Sequence, residues 1–248
     1  MAMNKSVIRA VQVLEIVSKS DAMTLSEIAQ AADMPLASAS DILKALLHTQ
    51  MIEIADKRSK TYRIGVNSFL VGNSYLSNTS VLEIAIPFVN DLSERVGNTV
   101  FLGKLIDTHI VYLHKCEPNS TLVSTCKIGS RANLSTTALG KVALAYNDDL
   151  IDLIIRNPLP KKTQASITAY DLLMQEIASV REQGYAIDRF EDNDKILCVG
   201  FPIFDSTGNV EHCVSISGAD RNNKNLEKDV QMGKVCAREI SIRLGYVF

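Results

Sequence analysis

"TLSEIAQAADMPLASASDILKALLHTQMIEI", residues 24–54, decides how the front of the chain folds. Thr24 followed three residues later by Glu27 spells a capping box, in which each side chain closes a free backbone N–H at a helix start. Met34-Pro35 breaks that helix after about two turns. A second helical run then carries Ile42, Leu43, Leu46 and Leu47 on one side. Two short helices joined by a tight turn make a helix-turn-helix, which meets DNA with its second helix. The opposite face offers Ala37, Ser40, Asp41, Lys44 and His48, with Ser38 beside it, and Lys44 is its one obligate cation. Ser, Lys and His bond base edges or phosphates. Asp41 repels phosphate and suits only a cytosine amino group or a neighbouring cation. The bland alternative is an α-hairpin buried in a core.

The flanks favour the DNA reader. Upstream, residues 6–18 form a helical pattern with Val7, Ala10, Val11, Leu14 and Val17 on one side. Downstream, "MIEIADKRSKTYRIG" alternates at Ile52 and Ile54 and again at Tyr62 and Ile64, around a polar tip at residues 56–61. Lys57, Arg58 and Lys60 in that tip are the densest cation cluster of the front half, with Lys5, Arg9 and Arg63 close in sequence. Three helices and a hairpin make a winged helix-turn-helix over residues 1–65. "VNSFLVGNSYLSNTS" reads as a linker helix over 66–78, and a second domain takes 79–248.

That second domain opens on a helix with Leu82, Ala85, Val89, Leu92 and Val96 in register, strained or kinked by Pro87. "TVFLGKL" and "HIVYLHK" read as a hairpin, and "TLVSTCKI" as a further strand. "STTALGKVALAYN" is a short helix, and "YDLLMQEIASVREQG" an amphipathic one closed by Gly184. "YAIDRF", "ILCVGFPIF" and "VEHCVSISG" are strands, the last two joined at "DSTGN", and a final helix spans about 226–244. The class is α+β, with helices packed on a central antiparallel sheet.

Bulk properties restrict function. The chain of 248 residues is 46% hydrophobic and 22% charged, the profile of an ordinary soluble protein. No apolar run reaches the ~20 residues of a membrane helix. Glu15 and Lys19 interrupt what could be a signal peptide, so the cytoplasm is the expected compartment, with no membrane partner. The five cysteines are an odd count without a CxxC pair, which argues against a disulfide framework. Residues 1–78 carry eight Lys/Arg against seven Asp/Glu, and the remainder 18 against 21. The slight basic excess lies in the front half.

In the second half, Ser215 and Ser217 leave one strand face with Cys213, while Val214 and Ile216 leave the other. Asp188 and Cys198 sit on neighbouring strand candidates. The loop "SRANLSTTALGK" runs into a helix N-terminus, whose free N–H groups and dipole favour an anion. Together these would bind a small acid bearing hydroxyls, with Asp188 accepting from a ligand hydroxyl; a solvated sheet face is the plain alternative. His114 with Cys116, and His212 with Cys213, leave two further readings open. One is a cytosolic Cys/His hydrolase of a small acid, and the other is a metal-responsive regulator. Neither pair has a third partner at a recognisable spacing.

The segments "SVIRAVQVLEIV", "TLSEIAQAADMPLASASDILKALL", "YRIG", "VYLHK", "STTALGKVALA", "REQGYAIDRFEDNDKILCVGFPIFDSTGNV" and "VSISG", in this order, resemble the IclR family of bacterial transcription regulators along essentially the whole chain. The resemblance implies a winged-helix DNA-binding domain, a linker helix and a GAF/PAS-like effector domain, assembled as a homodimer or homotetramer. It implies a regulator, more often a repressor of a catabolic operon, that binds double-stranded operator DNA and a small carboxylate effector such as a hydroxy or sugar acid. No enzyme activity, metal or other cofactor is implied. It places the effector carboxylate at Ala138 and Leu139, with polar contacts from Asp188, Cys198, Ser215 and Ser217. The recognition helix departs from the family, which usually carries Lys or Arg near its start and middle, and keeps only Lys44. Phosphate affinity is then expected from the wing, the N-terminus and dimerisation.

Overall fold

The computed structural model describes residues 4–77, 80–118, 126–218 and 225–248. The chain divides into two compact units, Met1–Asn78 and Thr79–Phe248.

The first unit runs α1 (Lys5–Val17), β1 (Met23–Thr24), α2 (Leu25–Ala31), α3 (Leu36–His48), β2 (Ile52–Asp56), β3 (Thr61–Ile64) and α4 (Val66–Ser77). The capping box forms. Thr24 Oγ1 accepts from Glu27 N–H at 3.3 Å, and Glu27 Oε2 accepts from Thr24 N–H at 2.8 Å. Asp33 takes a positive φ of 46° where the chain turns from α2 toward α3. Val13, Val17, Ile28, Ala39, Leu43 and Ile52 make the core. On α1 the buried stripe passes through Val13 and Val17, whereas Val7 and Val11 are exposed, so the expected face is only partly the packed one. The sheet has three strands in the order β1-β3-β2, because Met23 and Thr24 pair with Tyr62 and Thr61. This is a winged helix-turn-helix.

The second unit runs α5 (Ser80–Val96), β4 (Thr99–Ile106), β5 (His109–Cys116), β6 (Arg131–Asn133), α6 (Ala138–Tyr146), α7 (Asp148–Ile154), α8 (Tyr170–Gln183), β7 (Ala186–Arg189), β8 (Leu197–Ile203), β9 (His212–Gly218) and α9 (Leu226–Arg243). All strand pairs are antiparallel, in the order β6-β5-β4-β9-β8-β7. One face buries Val100, Leu102, Val199, Val214 and Ile216 against Leu82, Ala85 and Val89 of α5 and Ile240 of α9. The other buries Phe101, Ile110 and Cys213 against Leu139 and Val142 of α6 and Ile177 of α8. Each strand therefore serves two cores through its alternate residues.

Three local features depart from the sequence expectation. Of "TLVSTCKI", residues 121–125 lie outside the described residues, and Cys126–Ile128 are not in a strand; the sheet edge is the short β6. A seven-residue helix, α7, follows α6. The β4–β5 ladder also breaks register, pairing Gly103 with Tyr112 but Leu102 with His114. Leu113 is thus an extra residue, a β-bulge that reverses which way the later side chains point. Tyr112 faces the α6 layer, while His114 and Cys116 face α5: His114 Nε2 lies 2.9 Å from Asn90 Oδ1.

Candidate functional site

The cavity of interest lies between the sheet and the start of α6. Thr137 caps that helix, its Oγ1 accepting from Gly140 N–H at 3.1 Å and donating to the Asn133 carbonyl at 2.6 Å. Lys141 N–H donates to the Thr137 carbonyl at 2.9 Å. The amides of Ala138 and Leu139 find no acceptor among the described residues, although both residues are buried. Two free donors at the positive end of a helix attract an anion.

Gly200 lets this helix start come so close. A Cβ there would stand 2.8 Å from the Ala138 carbonyl carbon and oxygen and 3.1 Å from the Leu139 nitrogen. Below the helix start, Asp188 pairs with Cys198 and Cys198 with Ser217, which puts one row across β7, β8 and β9. The next row on that face holds Gly200, Ser215 and Phe101.

All six residues singled out from the sequence, Ala138, Leu139, Asp188, Cys198, Ser215 and Ser217, line this one cavity of about 90 Å³. Phe101 and Tyr112, which sequence reasoning missed, add aromatic walls. Tyr112 was hidden by the bulge: simple alternation would have placed it with His114.

The electrostatics are unusual. The Cys198 thiol donates to Ser217 Oγ at 3.3 Å, and burial holds its pKa far above the usual thiol range. Asp188 is 2% exposed, and burial pushes its carboxyl up to about 7. The Glu191 N–H, donating to Asp188 Oδ1 at 2.7 Å, and the charge of Lys141 work against that rise. Behind the cavity, fully buried Lys141 donates to Glu191 Oε1 and the Ile187 carbonyl, both at 2.6 Å, and to Glu176 Oε1 at 3.2 Å. Among the described residues Glu191 Oε2 is buried without a hydrogen-bond partner, and desolvation raises the Glu191 pKa. One cation therefore stands among several carboxylates, and an incoming acid adds another.

The residues expected from the sequence to meet DNA form a second surface, in the first unit. Asp41, Lys44 and His48 are exposed on α3, with Ser38 and Ser40 half-buried beside them. Asp41 Oδ1 holds Lys44 Nζ at 3.1 Å, so the one cation of this face is locally neutralised. No side chain caps α3, which follows Pro35. In the wing, Lys57, Arg58 and Lys60 are exposed, and Lys60 takes a positive φ of 50°. Asp56 shapes that tip by accepting from Arg58 N–H at 3.0 Å, Ser59 N–H at 3.2 Å and Ser59 Oγ at 2.6 Å.

The Cys/His pairs are not assembled for catalysis. His212 and Cys213 are consecutive on β9 and leave on opposite faces. Burial raises the Cys213 thiol and lowers His212 to about 4. Among the described residues, no three His, Cys, Asp or Glu side chains gather as a metal site would need.

The family description "Bacterial transcriptional regulator IclR C-terminal" matches residues 73–242, and "IclR helix-turn-helix domain" matches residues 6–54. The chain belongs to the IclR family. IclR proteins are DNA-binding transcription regulators, not enzymes, and this fold is theirs. Among similar proteins, the HTH-type transcriptional repressor AllR of Escherichia coli strain K12 is 28% identical, over 96% of this chain and 89% of its own. The Thermotoga maritima IclR crystal structure has 30% identity and a TM-score of 0.77, covering 97% of this chain and 99% of that one. An IclR homolog from Microbacterium hydrocarbonoxydans, complexed with 4-hydroxybenzoate, shares the fold at 20% identity and a TM-score of 0.84, covering 97% and 99%. Among the described residues of this IclR protein, no helix is long and apolar enough to cross a membrane.

Proposed function

We propose that this IclR-family regulator is a repressor of a catabolic operon, released or recruited by a small hydroxylated carboxylate bound at the start of α6. The observation that carries the reading is the meeting of two free amides, of Ala138 and Leu139, with Asp188, Ser215 and Ser217 in one cavity. The amides hold the carboxylate. The side chains across the sheet then meet a hydroxyl: Ser215 and Ser217 donate or accept, and Asp188 bonds the hydroxyl in either of its protonation states. The similarity to AllR, a repressor by name, supports repression, and the 4-hydroxybenzoate complex of a distant member is in keeping with a hydroxylated acid.

DNA contact falls to the uncapped start and exposed face of α3, with Ser38, Ser40, Asp41, Lys44 and His48, and to the wing cations Lys57, Arg58 and Lys60. In a cytoplasmic homodimer or homotetramer, two such units meet half-sites about one helical turn apart, ~34 Å, or a multiple of it. The acid regulates by binding one spacing of the two units better than another.

Thermal-shift screening of small hydroxy acids tests the effector half. A ligand at 100 times its dissociation constant stabilises by about 2.7 kcal/mol. Deoxy analogues should bind worse by about 1–3 kcal/mol, because a buried polar group loses its partner. Any active acid must then change the gel-shift affinity for the DNA upstream of the regulator's own gene or its neighbours. An acid that binds without moving DNA affinity rules out its role as effector.

A further inference from the structure

The second unit carries another pocket, of about 280 Å³, that shares no lining residue with the cavity at the start of α6. Helix α6 separates the two. Ala138 opens it at the first cavity, and Tyr146 closes it at this pocket, ~13 Å further on by the rise of a helix. The wall here is aromatic and firmly set. The rings of Phe204 and Tyr246 stack with centroids 4.7 Å apart and planes at 18°. Tyr146 and Phe248 meet Phe204 edge-on, at 5.2 and 6.2 Å. Stacked and edge-to-face pairs are the arrangements that ring quadrupoles favour. The Phe204 backbone is tied down as well, its N–H donating to Ser241 Oγ of α9 at 3.0 Å. Fully buried Phe201 also lines the pocket, its ring filling the space that a Cβ on Gly233 of α9 would invade at 2.1 Å.

The charge of the pocket comes from α9 and has one sign. Lys234 and Arg238 both line it, four residues apart and so one turn above the other. Each lies over a ring: Lys234 Nζ is 5.0 Å from the Tyr185 centroid, and the Arg238 guanidinium carbon is 4.7 Å from that of Phe248. Stacking uses the face of a guanidinium and leaves its in-plane N–H donors for a carboxylate. Among the described residues no Asp or Glu lines the pocket, and neither cation has a carboxylate partner. The last arginine of the same helix is treated differently, since Arg243 Nη1 pairs with Glu239 Oε2 at 2.7 Å. Like charges four apart on a helix repel, so an anion placed between Lys234 and Arg238 removes that repulsion as it satisfies their donors. A polyol would leave the rings bare, and a neutral arene would leave both cations unpaired. A flat ring bearing a carboxylate answers both.

We propose that this pocket is a second ligand site, for an aromatic carboxylic acid. Its ring packs among Tyr146, Phe204 and Phe248, and its carboxylate meets Arg238 and Lys234. The site stands independently of the effector reading at α6.

Calorimetry on the full chain with 2-naphthoate, benzoate and the neutral 2-naphthalenemethanol tests it, on wild type and on a Lys234→Gln/Arg238→Gln double variant; neither residue lines the cavity at α6. Wild type should bind 2-naphthoate about tenfold or more tighter than the alcohol, the worth of a charge-assisted hydrogen bond. The Gln variant should lose that preference and bind the alcohol as wild type does. A Lys234→Arg/Arg238→Lys variant, which keeps both charges, should retain the preference, and thermal melts check that every variant is folded. Unchanged acid affinity and number of sites in the folded Gln variant puts the acid elsewhere and overturns the proposal, as does binding of neither acid by wild type. A concentration-dependent oligomer that the Gln variant breaks, with neither acid bound, overturns it too and makes this face a contact between copies of the chain.

Discussion

Asp188 faces Cys198 directly across the β7–β8 ladder, and both line the cavity into which the free amides of α6 point their charge. The carboxyl of Asp188, pushed up to about 7 by burial, is half protonated at neutral pH. Below pH 7 it is neutral and tolerates an incoming carboxylate. Above pH 7 it ionises and repels it. Effector affinity should therefore fall by up to about tenfold per pH unit above 7, with one proton taken up on binding there. Asp188→Asn, which keeps an oxygen for the Glu191 N–H, should flatten the profile. Calorimetry in buffers of different ionisation enthalpy counts the proton; no uptake at pH 8 would remove Asp188 from the linkage.

The same residue sets a stability trend. Its folded pKa lies above the unfolded value, so its contribution is fully present below about pH 4 and is lost as pH rises toward 7. Ligand-free Asp188→Asn should gain melting temperature over wild type as pH goes from 5 to 8. Thermal scans across that range check it, and a gap that shrinks with pH contradicts it.

Gly200→Ala should push the start of α6 off the sheet, since its Cβ would meet the Ala138 carbonyl at 2.8 Å. Overpacking of this kind costs about 1–3 kcal/mol. Effector affinity should fall further than stability does, because the displaced amides are the proposed anion site. Denaturant melts and calorimetry on one preparation separate the two effects, and a normal affinity would show that α6 can shift without harm.

Replacing Lys57, Arg58 and Lys60 together by Ala should weaken binding to every duplex alike. The slope of log affinity against log salt should drop by about 0.9 for each phosphate that the wing no longer neutralises. An unchanged slope means that the wing does not touch the backbone. Asp56→Ala keeps all three cations but removes the acceptor of three hydrogen bonds in the tip, so it should reproduce part of the effect.

Asp41→Arg should raise affinity for random DNA and blur the preference for one operator. It removes the anion that occupies Lys44 and adds a phosphate-seeking group. The pair is too exposed to matter for folding, at most about 1 kcal/mol. If random-DNA affinity stays flat while operator binding collapses, Asp41 reads a base itself.

Residues whose signals are local were legible in the sequence. Thr24 and Glu27 announced α2, Gly184 closed α8 with a φ of 77°, and alternation put Cys213, Ser215 and Ser217 on one face. Asp188 and Cys198, on neighbouring strand candidates, joined them on the same local reading, and the family resemblance pointed to the same residues. What stayed hidden depends on distant partners. Lys141 gave no signal in the sequence, because its partners Glu176 and Glu191 lie 35 and 50 residues further on. Two-residue β1 and three-residue β6 are too short to show alternation, and they exist because a neighbouring strand offers an edge. The exposure of Val7 and Val11 shows the limit of periodicity, which finds an apolar stripe but not what covers it.

The extra residue at Leu113 makes the gene unusually tolerant of a deletion at one codon. An in-frame loss of that triplet leaves Gly103 opposite Tyr112 and Leu102 opposite His114, now as consecutive pairs of a regular ladder. Alternation then keeps Tyr112 on the cavity side and His114 and Cys116 on the α5 side, so the strand can close without turning over. What is lost is the Leu113 side chain from the core under α5 and the local bend of the strand. The wall of the cavity is therefore changed by substitution at Tyr112 or Phe101, one side chain at a time, and not by shortening β5 at its bulge.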